Sequence, residues 1–342
     1  MIFKFTATLS IAAVGGYCFF LANTPLPWML GALTFTLFGA LTHGKTFVPK
    51  QARAFCSPVL GVLIGSRFSV EIFQQVGDWF LALMLMIIFV VISSFMGFLF
   101  FYKISKQDPI TAFCAAVPAG ISELMMVGPE LGAKMNVVIL SHLARIIVVV
   151  FAIPLAFWFF LGVEAQRKSM SLQWFSLSWD EGMILILCGV LGLLLGRRLR
   201  LPAAPLTGPL LLSAIAHIFG FSHAAPPLLL VIIIQIVVGA AIGSRFVNIN
   251  GKETKKHLFL GTIWSALSLA LALVFAIFAS QVIGYDLSIL LLGMAPGGVQ
   301  EMTIIALSLG FEVAFISLLH ISRISLVLGV GVPMMFRLYG SK

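Results

Sequence analysis

The sequence has little charge. Of its 342 residues only 10% are Asp, Glu, Lys or Arg, whereas 61% are hydrophobic. A soluble globular chain is nearer half apolar and a quarter charged. Four uncharged runs each exceed the roughly 20 residues with which a helix crosses a bilayer. They cover 5–44, 80–102, 201–244 and 258–285. The composition therefore predicts an all-α integral membrane protein that has the lipid bilayer as a partner.

Several signatures of function are also missing. The four cysteines lie in apolar stretches without the spacing of a metal site, so we expect structural thiols, no metal and no cofactor. No Walker loop is present, which argues against ATP-driven transport by this chain alone. The net charge of +9 comes from Lys and Arg in short loops, as cytoplasmic loops prefer, so we expect no nucleic-acid partner.

The chain contains an internal repeat. The octapeptide GVLIGSRF at 61–68 recurs as GAAIGSRF at 239–246, a shift of 178 residues. The same shift relates Asp108 to Asp286, Pro118 to Pro296, Gly120 to Gly298, Glu123 to Glu301, His142 to His320 and Arg145 to Arg323. One ungapped register across these residues predicts two related membrane repeats, 1–163 and 180–342, joined by a polar loop at 164–179.

Charge indicates the topology. Each half has six apolar segments, and if all of them cross the membrane, the inner loops hold 10 Lys and Arg and the outer loops 9. If the fifth segments, 110–131 and 288–309, are re-entrant hairpins, the inside holds 16 and the outside 3. The second split agrees with the positive-inside rule. It predicts about ten transmembrane helices in two inverted five-helix repeats, with both termini cytoplasmic.

The two hairpin tips read VPAGISEL at 117–124 and APGGVQEM at 295–302. Proline removes a backbone donor and glycine permits unusual dihedrals, so each tip should break its helix. Broken backbone at membrane depth is tolerated inside protein or beside a water-filled cavity. A new helix after each tip would aim its free N–H groups at that cavity, with a glutamate in its first turn. The candidate substrate- or ion-binding residues here are Pro118, Gly120, Glu123, Pro296, Gly297, Gly298 and Glu301.

The two hairpin glutamates have a simpler interpretation. Each could be a structural residue that stabilises the positive N-terminal end of the helix after a kink. The same holds for Asp108 and Asp286, which precede the hairpins and which we expect to be N-caps. The repeated Gly-x-x-x-Gly spacing of 61–65 and 239–243 is typical of close helix packing.

A second constellation follows each hairpin, in the sequences SHLAR at 141–145 and LHISR at 319–323. His and Arg three residues apart share one helix face. An arginine inside an apolar span is costly and normally faces the protein interior or an aqueous path. We expect the hairpin glutamates to be its partners. The sequence leaves open whether these residues form structural ion pairs, hold an anionic substrate or relay protons. The candidate site residues are His142, Arg145, His320 and Arg323.

The Pro-Gly-Gly hairpin, the Gly-x-x-x-Gly-Ser-Arg segment and the His-x-x-Arg helix resemble the bacterial AbrB membrane-protein family over essentially the whole chain. Members of that family carry two AbrB duplication repeats. The first half departs from the pattern at Ala119, which replaces the first glycine. The resemblance implies the bacterial inner membrane. Members of that family have been labelled as ammonia monooxygenases and as transcriptional regulators, so the resemblance implies these two activities as candidates.

Three functions compete. Inverted halves with broken segments favour a secondary carrier, not an enzyme, with a small-molecule or ion site where the repeats meet. The alternative is a membrane-bound regulator of gene expression that acts through a partner protein, because no cytoplasmic segment is long enough for an output domain. An oxygenase comes third, since copper or iron requires clustered His or carboxylates. Assembly as a homo-oligomer is a further option.

Overall fold

The computed structural model describes residues 2–69, 76–161, 177–247 and 251–339. Helices make up 83% of the described residues, which contain no β-strand. Most of the predicted connecting loop, 164–176, lies outside the described residues. Arg167 and Lys168, two of the three basic residues predicted to lie on the outer side of the membrane, are also outside them.

The first seven helices are α1 (Ile2–Leu21), α2 (Pro27–His43), α3 (Lys50–Gly65), α4 (Val76–Leu99), α5 (Pro109–Ala116), α6 (Ile121–Leu131) and α7 (Met135–Leu161). The others are α8 (Trp179–Arg198), α9 (Ala204–Ile218), α10 (Leu228–Gly243), α11 (Lys252–Ile283), α12 (Leu287–Met294), α13 (Val299–Leu309), α14 (Val313–Leu326) and α15 (Val332–Tyr339). A π-helical turn, Phe100–Ile104, extends α4, and another, Val327–Gly331, joins α14 to α15.

The helix boundaries recur along the chain. Helices α5, α6 and α7 begin at residues 109, 121 and 135, and α12, α13 and α14 begin 178 residues later, at 287, 299 and 313. The helix order thus follows the register of the sequence repeat. The division into 1–163 and 180–342 stays a prediction about the sequence halves.

In the described part of the chain, seven helical runs are long and apolar enough to cross a membrane. They are α1, α4 with its π turn, α7, α8, α10 with the short turn after it, α11, and α14 with α15. The other three predicted spans, α2, α3 and α9, have 17, 16 and 15 residues, which is shorter than the roughly 20 of a typical span. The protein is therefore helical with seven candidate membrane spans, and the count of ten stays a prediction.

The chain divides into two compact units. The first unit comprises Met1–Phe73, Pro154–Ile249 and Thr303–Ala314. In it α1 packs on α2, α8 on α9, α3 on α9 and α2 on α10. A methyl group added to Gly61 would overlap the backbone of Leu206, and one added to Gly239 would lie 2.5 Å from the carbonyl oxygen of Met29. The expectation that these glycines allow close helix packing is confirmed.

The second unit comprises Gln74–Ile153, Asn250–Met302 and Phe315–Lys342. We name the helices of the two predicted hairpins, with the bounds that the structure gives them, the first hairpin (109–131) and the second hairpin (287–309). The second unit contains the first hairpin and residues 287–302 of the second. Part of its core forms around Trp264, where Phe100 and Phe101 of the π turn pack against Ala112 and Ala115 of α5.

The ends of each hairpin lie side by side. After the first hairpin, the Lys134 N–H donates to the Thr111 hydroxyl oxygen at 2.9 Å, and the Lys134 ammonium lies 3.5 Å from the Asp108 carboxylate. Before the second hairpin, the ring of Tyr285 stacks on that of Phe315, which follows the hairpin, with centroids 4.8 Å apart. The chain therefore returns to where each hairpin began, as a re-entrant segment does.

Candidate functional site

Both hairpins are broken at the predicted positions. Helix α5 ends at Ala116 and α6 begins at Ile121, while α12 ends at Met294 and α13 begins at Val299. All eleven predicted site residues lie in the second unit, which takes them from both sequence halves. The unit thus contains two repeat-related tips, each faced by its own His-x-x-Arg sequence.

Each histidine donates a hydrogen bond to a backbone carbonyl that would otherwise accept from the N–H group that proline lacks. Because Pro118 has no N–H, the carbonyl of Cys114, four residues earlier, has no helical donor. The His142 side chain supplies one, with Nε2 at 2.9 Å from the Cys114 oxygen. In the second hairpin His320 Nε2 lies 3.0 Å from the carbonyl oxygen of Leu292, four residues before Pro296. Since a carbonyl only accepts, both histidines carry a hydrogen on Nε2.

Each arginine binds two further backbone carbonyls at the helix break, which come after the carbonyl that the histidine contacts. Arg145 Nη1 donates to the Val117 carbonyl at 2.9 Å, and its Nη2 donates to the carbonyl of Ala119. Arg323 repeats the contact 178 residues later, with bonds to Ala295 at 2.6 Å and to Gly297. Both guanidinium groups are buried, with side chains 5% and 1% exposed. They lie at the C-terminal ends of α5 and α12, where the helix dipole is negative.

The expected salt bridges between these arginines and Glu301 are not formed. The salt bridges that the structure shows among its described residues join Lys134 to Asp108 and His257 to Glu253. Backbone carbonyls accept from the Nη1 and Nη2 groups of the arginines instead, because helix breakage leaves those oxygens without helical N–H partners. Glu301 still acts on Arg145 through longer-range electrostatics, and the two arginines repel each other in the same way.

The glutamates lie at the starts of the helices that follow the breaks. Glu123 and Glu301 are in the first turns of α6 and α13, as predicted. A Cβ added to Gly120 would overlap the Glu123 carboxylate, and one added to Gly298 would overlap that of Glu301. Each carboxylate therefore folds back over the residue before its helix, which is the geometry of a capping box.

This position corrects the expected role of the tip glycines. Gly120 has φ −77° and ψ 146°, an extended conformation that any residue adopts. Neither Gly297 nor Gly298 is among the glycines with positive φ. The glycines provide room for a carboxylate or a neighbouring side chain, and unusual dihedrals are not their purpose.

The two aspartates cap helices as predicted. Asp108 accepts from the Thr111 N–H at 2.8 Å, and Asp286 accepts from the Ser288 N–H at 2.7 Å. Partial burial alone would raise the pKa of Asp108, but the hydrogen bonds from Thr111 and the positive charge of Lys134 lower it below its ordinary value.

Ser141 is a further residue at the first tip that was not predicted from the sequence. Ser141 donates to the Ala115 carbonyl at 3.0 Å, beside the bond from His142. The corresponding residue of the second half is Leu319, so the two tips are not equivalent there. A serine directly before the His-x-x-Arg sequence was the available signal.

Comparison with known proteins assigns the chain to a family. The family model described as transition state regulatory protein AbrB matches residues 28–340. The chain belongs to the AbrB family.

Two relatives of this AbrB-family chain cover nearly its whole length. The uncharacterized protein YhjN of Bacillus subtilis (strain 168) is 23% identical over 360 residues, which cover 98% of this chain and 94% of that protein. A protein of Escherichia coli (strain K12) named "Putative regulator AbrB" is 20% identical over 317 residues, which cover 92% of this chain and 90% of that protein. No solved structure matches the chain significantly.

Proposed function

We propose that this protein is a secondary carrier of the bacterial inner membrane, and not an enzyme, with its substrate or ion site at the two hairpin tips. The observation that carries the proposal is the pair of repeat-related helix breaks, each held by a buried cationic side chain. Secondary carriers place their sites at such discontinuous helices, and ionisable residues inside a membrane are usually functional.

The charge distribution at the tips supports this role. Each tip joins a helix C-terminus, which faces an arginine, to a helix N-terminus, which faces a glutamate. Glu301 is the one acidic side chain that is buried among the described residues, with 7% exposed. A buried carboxylate without a salt bridge to a neighbouring arginine is suited to carry a coupling proton or ion. We therefore assign that role to Glu301.

The proposal includes an inverted topology with both termini in the cytoplasm. Two features support it: the 16 to 3 distribution of Lys and Arg, and the return of each hairpin to its starting point. A re-entrant fifth segment leaves each half with an odd number of spans, so the second half has the opposite orientation.

Transport by proteoliposomes tests the proposal. Purified protein would be reconstituted and offered a panel of radiolabelled small solutes under an imposed proton or sodium gradient. We expect uptake of at least one solute above that of protein-free liposomes, and a reduction of about tenfold or more in Glu301→Gln.

The matched control is Gly77→Ala, since a methyl group at Gly77 would have nothing within 4 Å. This variant should transport like the wild type. Uptake equal to that of protein-free liposomes for every solute and gradient would refute the carrier.

A further inference from the structure

Four buried nitrogen atoms at the hairpin tips have no hydrogen-bond partner among the described protein groups. They are His142 Nδ1, Arg145 Nε, His320 Nδ1 and Arg323 Nε. They form two pairs related by the 178-residue shift, one pair on each His-x-x-Arg sequence. Buried polar atoms are rarely left without partners, and an orphaned set that recurs in two halves calls for an explanation.

The hydrogen-bonding capacity of each pair follows from the bonds already made. The histidine uses its Nε2–H for the Cys114 or Leu292 carbonyl, so its Nδ1 in the neutral ring offers a lone pair and accepts. The arginine Nε always carries a hydrogen and donates. The two residues lie three apart on one helix face and contact the same hairpin tip. Each pair thus presents one unused acceptor and one unused donor.

The partner of such a pair must donate and accept at once. A sulfate or a simple ionised carboxylate accepts from Nε–H but has no hydrogen to give to Nδ1. Hydrogen phosphate has a hydroxyl as well as acceptor oxygens, so the choice between it and a neutral group is left to the experiment. A metal cation could bind Nδ1, but it would be repelled by the adjacent guanidinium. Water, a hydroxyl group or a carboxamide satisfies both atoms, because each of these has a donor and an acceptor.

We infer that each His-x-x-Arg pair binds a neutral polar group that donates to His Nδ1 and accepts from Arg Nε–H, and that the proposed carrier takes an uncharged solute of this kind. The inference rests on the proposed function. It narrows the substrate class that the sequence left open, because the arginines direct Nη1 and Nη2 to backbone carbonyls and do not hold an anion through that edge. A structural water has the same chemistry, so the experiment must separate it from a substrate.

The test compares neutral and anionic probes in proteoliposomes. Urea and glycerol represent neutral donor–acceptor solutes, and phosphate and sulfate represent anions. We expect the wild-type protein to raise urea or glycerol flux about tenfold over protein-free liposomes, with no effect on phosphate or sulfate.

Two variants address the orphaned atoms separately. His320→Gln keeps an amide N–H for the Leu292 carbonyl and removes Nδ1, whereas Arg323→Lys keeps the charge and removes Nε–H. Each should lower the neutral-solute flux about tenfold, while Gly77→Ala leaves it unchanged. A variant that does not elute as a monodisperse protein is omitted, and the other variant and the probe panel then decide. The structure of the protein in nanodiscs should show non-protein density within hydrogen-bonding distance of His320 Nδ1 and Arg323 Nε that changes when urea is added.

The remaining outcomes separate the two proposals. Flux of phosphate or sulfate without that of urea or glycerol would overturn the neutral-solute inference and leave the carrier standing. Neutral-solute flux that is the same in His320→Gln and Arg323→Lys, with density unaffected by urea, would identify a structural water and also overturn it. If no solute of this panel or of the wider panel above moves, both proposals fail.

Discussion

Pro118 and His142 are far apart in the sequence, yet the imidazole donates to the carbonyl that the proline leaves without a donor. Pro296 and His320 repeat the relation. At the residue scale, then, a proline breaks the helix at each hairpin tip. A histidine from another helix donates to the carbonyl oxygen that the break leaves without a helical donor. Similar contacts explain how the buried Arg323, with 1% exposed, is tolerated. Hydrogen bonds to two backbone carbonyls replace those that its guanidinium group would make to water.

The residue-scale prediction concerns which arginine is coupled to Glu301. Arg323→Met should cost about 1–3 kcal/mol, because it removes the side-chain donor to the buried Gly297 carbonyl, whereas the Ala295 carbonyl keeps the Gly297 N–H at 2.8 Å. Combination with Glu301→Gln should be additive within about 0.5 kcal/mol, since no salt bridge joins the two residues. The free energy of unfolding in detergent, measured for both single variants and the double variant, checks this.

The matched cycle replaces Arg145 with Met, which removes the equivalent carbonyl bonds at the first tip. Its coupling to Glu301→Gln should exceed about 0.5 kcal/mol, because Glu301 acts electrostatically on Arg145. Stability recovered in the Glu301–Arg323 double variant, but not in the Glu301–Arg145 one, would contradict the structure.

At the element scale, each half-helix of the hairpins has its ends satisfied locally. Asp108 and Asp286 cap the first half-helices, and Glu123 and Glu301 lie at the starts of the second ones. Helices of 8 and 11 residues are too short to be stable in isolation, so these caps and the clamping side chains stabilise them.

Replacement of Asp108 separates its cap from its charge. Asp108→Ala should cost about 1 kcal/mol through loss of the bond to the Thr111 N–H, whereas Asp108→Asn should cost less, because asparagine keeps the cap and loses only the charge that faces Lys134. Thermal unfolding of both variants at neutral pH measures the difference. Asp286→Ala, which removes the corresponding cap, should resemble Asp108→Ala.

The charge of Asp108 predicts an acid dependence. Its pKa is lower in the folded protein than in the unfolded chain, where it is about 3.9. The stabilisation by the carboxylate is therefore complete above that value and is lost as the pH falls through the lower folded pKa. We expect the stability advantage of the wild type over Asp108→Asn to shrink on acidification below about pH 4. If the stability advantage of the wild type grew on acidification, the inference that folding lowers the pKa of Asp108 would be wrong.

At the scale of the whole molecule, neither compact unit corresponds to one sequence half. Each unit takes helices from both sides of the predicted connecting loop. The four transport-related features on which the proposal depends, two tips and two His-x-x-Arg sequences, all belong to the second unit. The proposed inverted orientation of the halves would place equivalent residues on opposite sides of the membrane.

That orientation is testable by cysteine labelling. In a protein whose four native cysteines are replaced by serine, Lys103→Cys and Lys252→Cys should react with a membrane-impermeant maleimide in inverted vesicles and not in intact cells. Both lysines are exposed, which allows reaction. Arg67→Cys, also at an exposed position, should react in intact cells only. Reaction of Lys252→Cys in intact cells would exclude the inverted halves.

The features that depend on neighbouring residues can be predicted from the amino-acid sequence. The breaks before Ile121 and Val299, the aspartate caps and the first-turn glutamates follow from the missing N–H of proline and from local capping, so they could be predicted. The internal register also determined which residues would recur.

The contacts of the buried side chains depend on how distant helices pack, so they could not be predicted from the sequence. A repeat pattern indicates that His142 and Arg145 share a helix face, but it does not show whether carboxylates or carbonyls lie opposite. Charge pairing favoured the glutamates, whereas the packing of α7 against the end of α5 brought backbone oxygens within reach. Those oxygens need donors once proline breaks the helix, and a first-turn carboxylate already lies at the start of its own helix. Contacts between elements that are distant in the chain therefore determined the partners of these side chains.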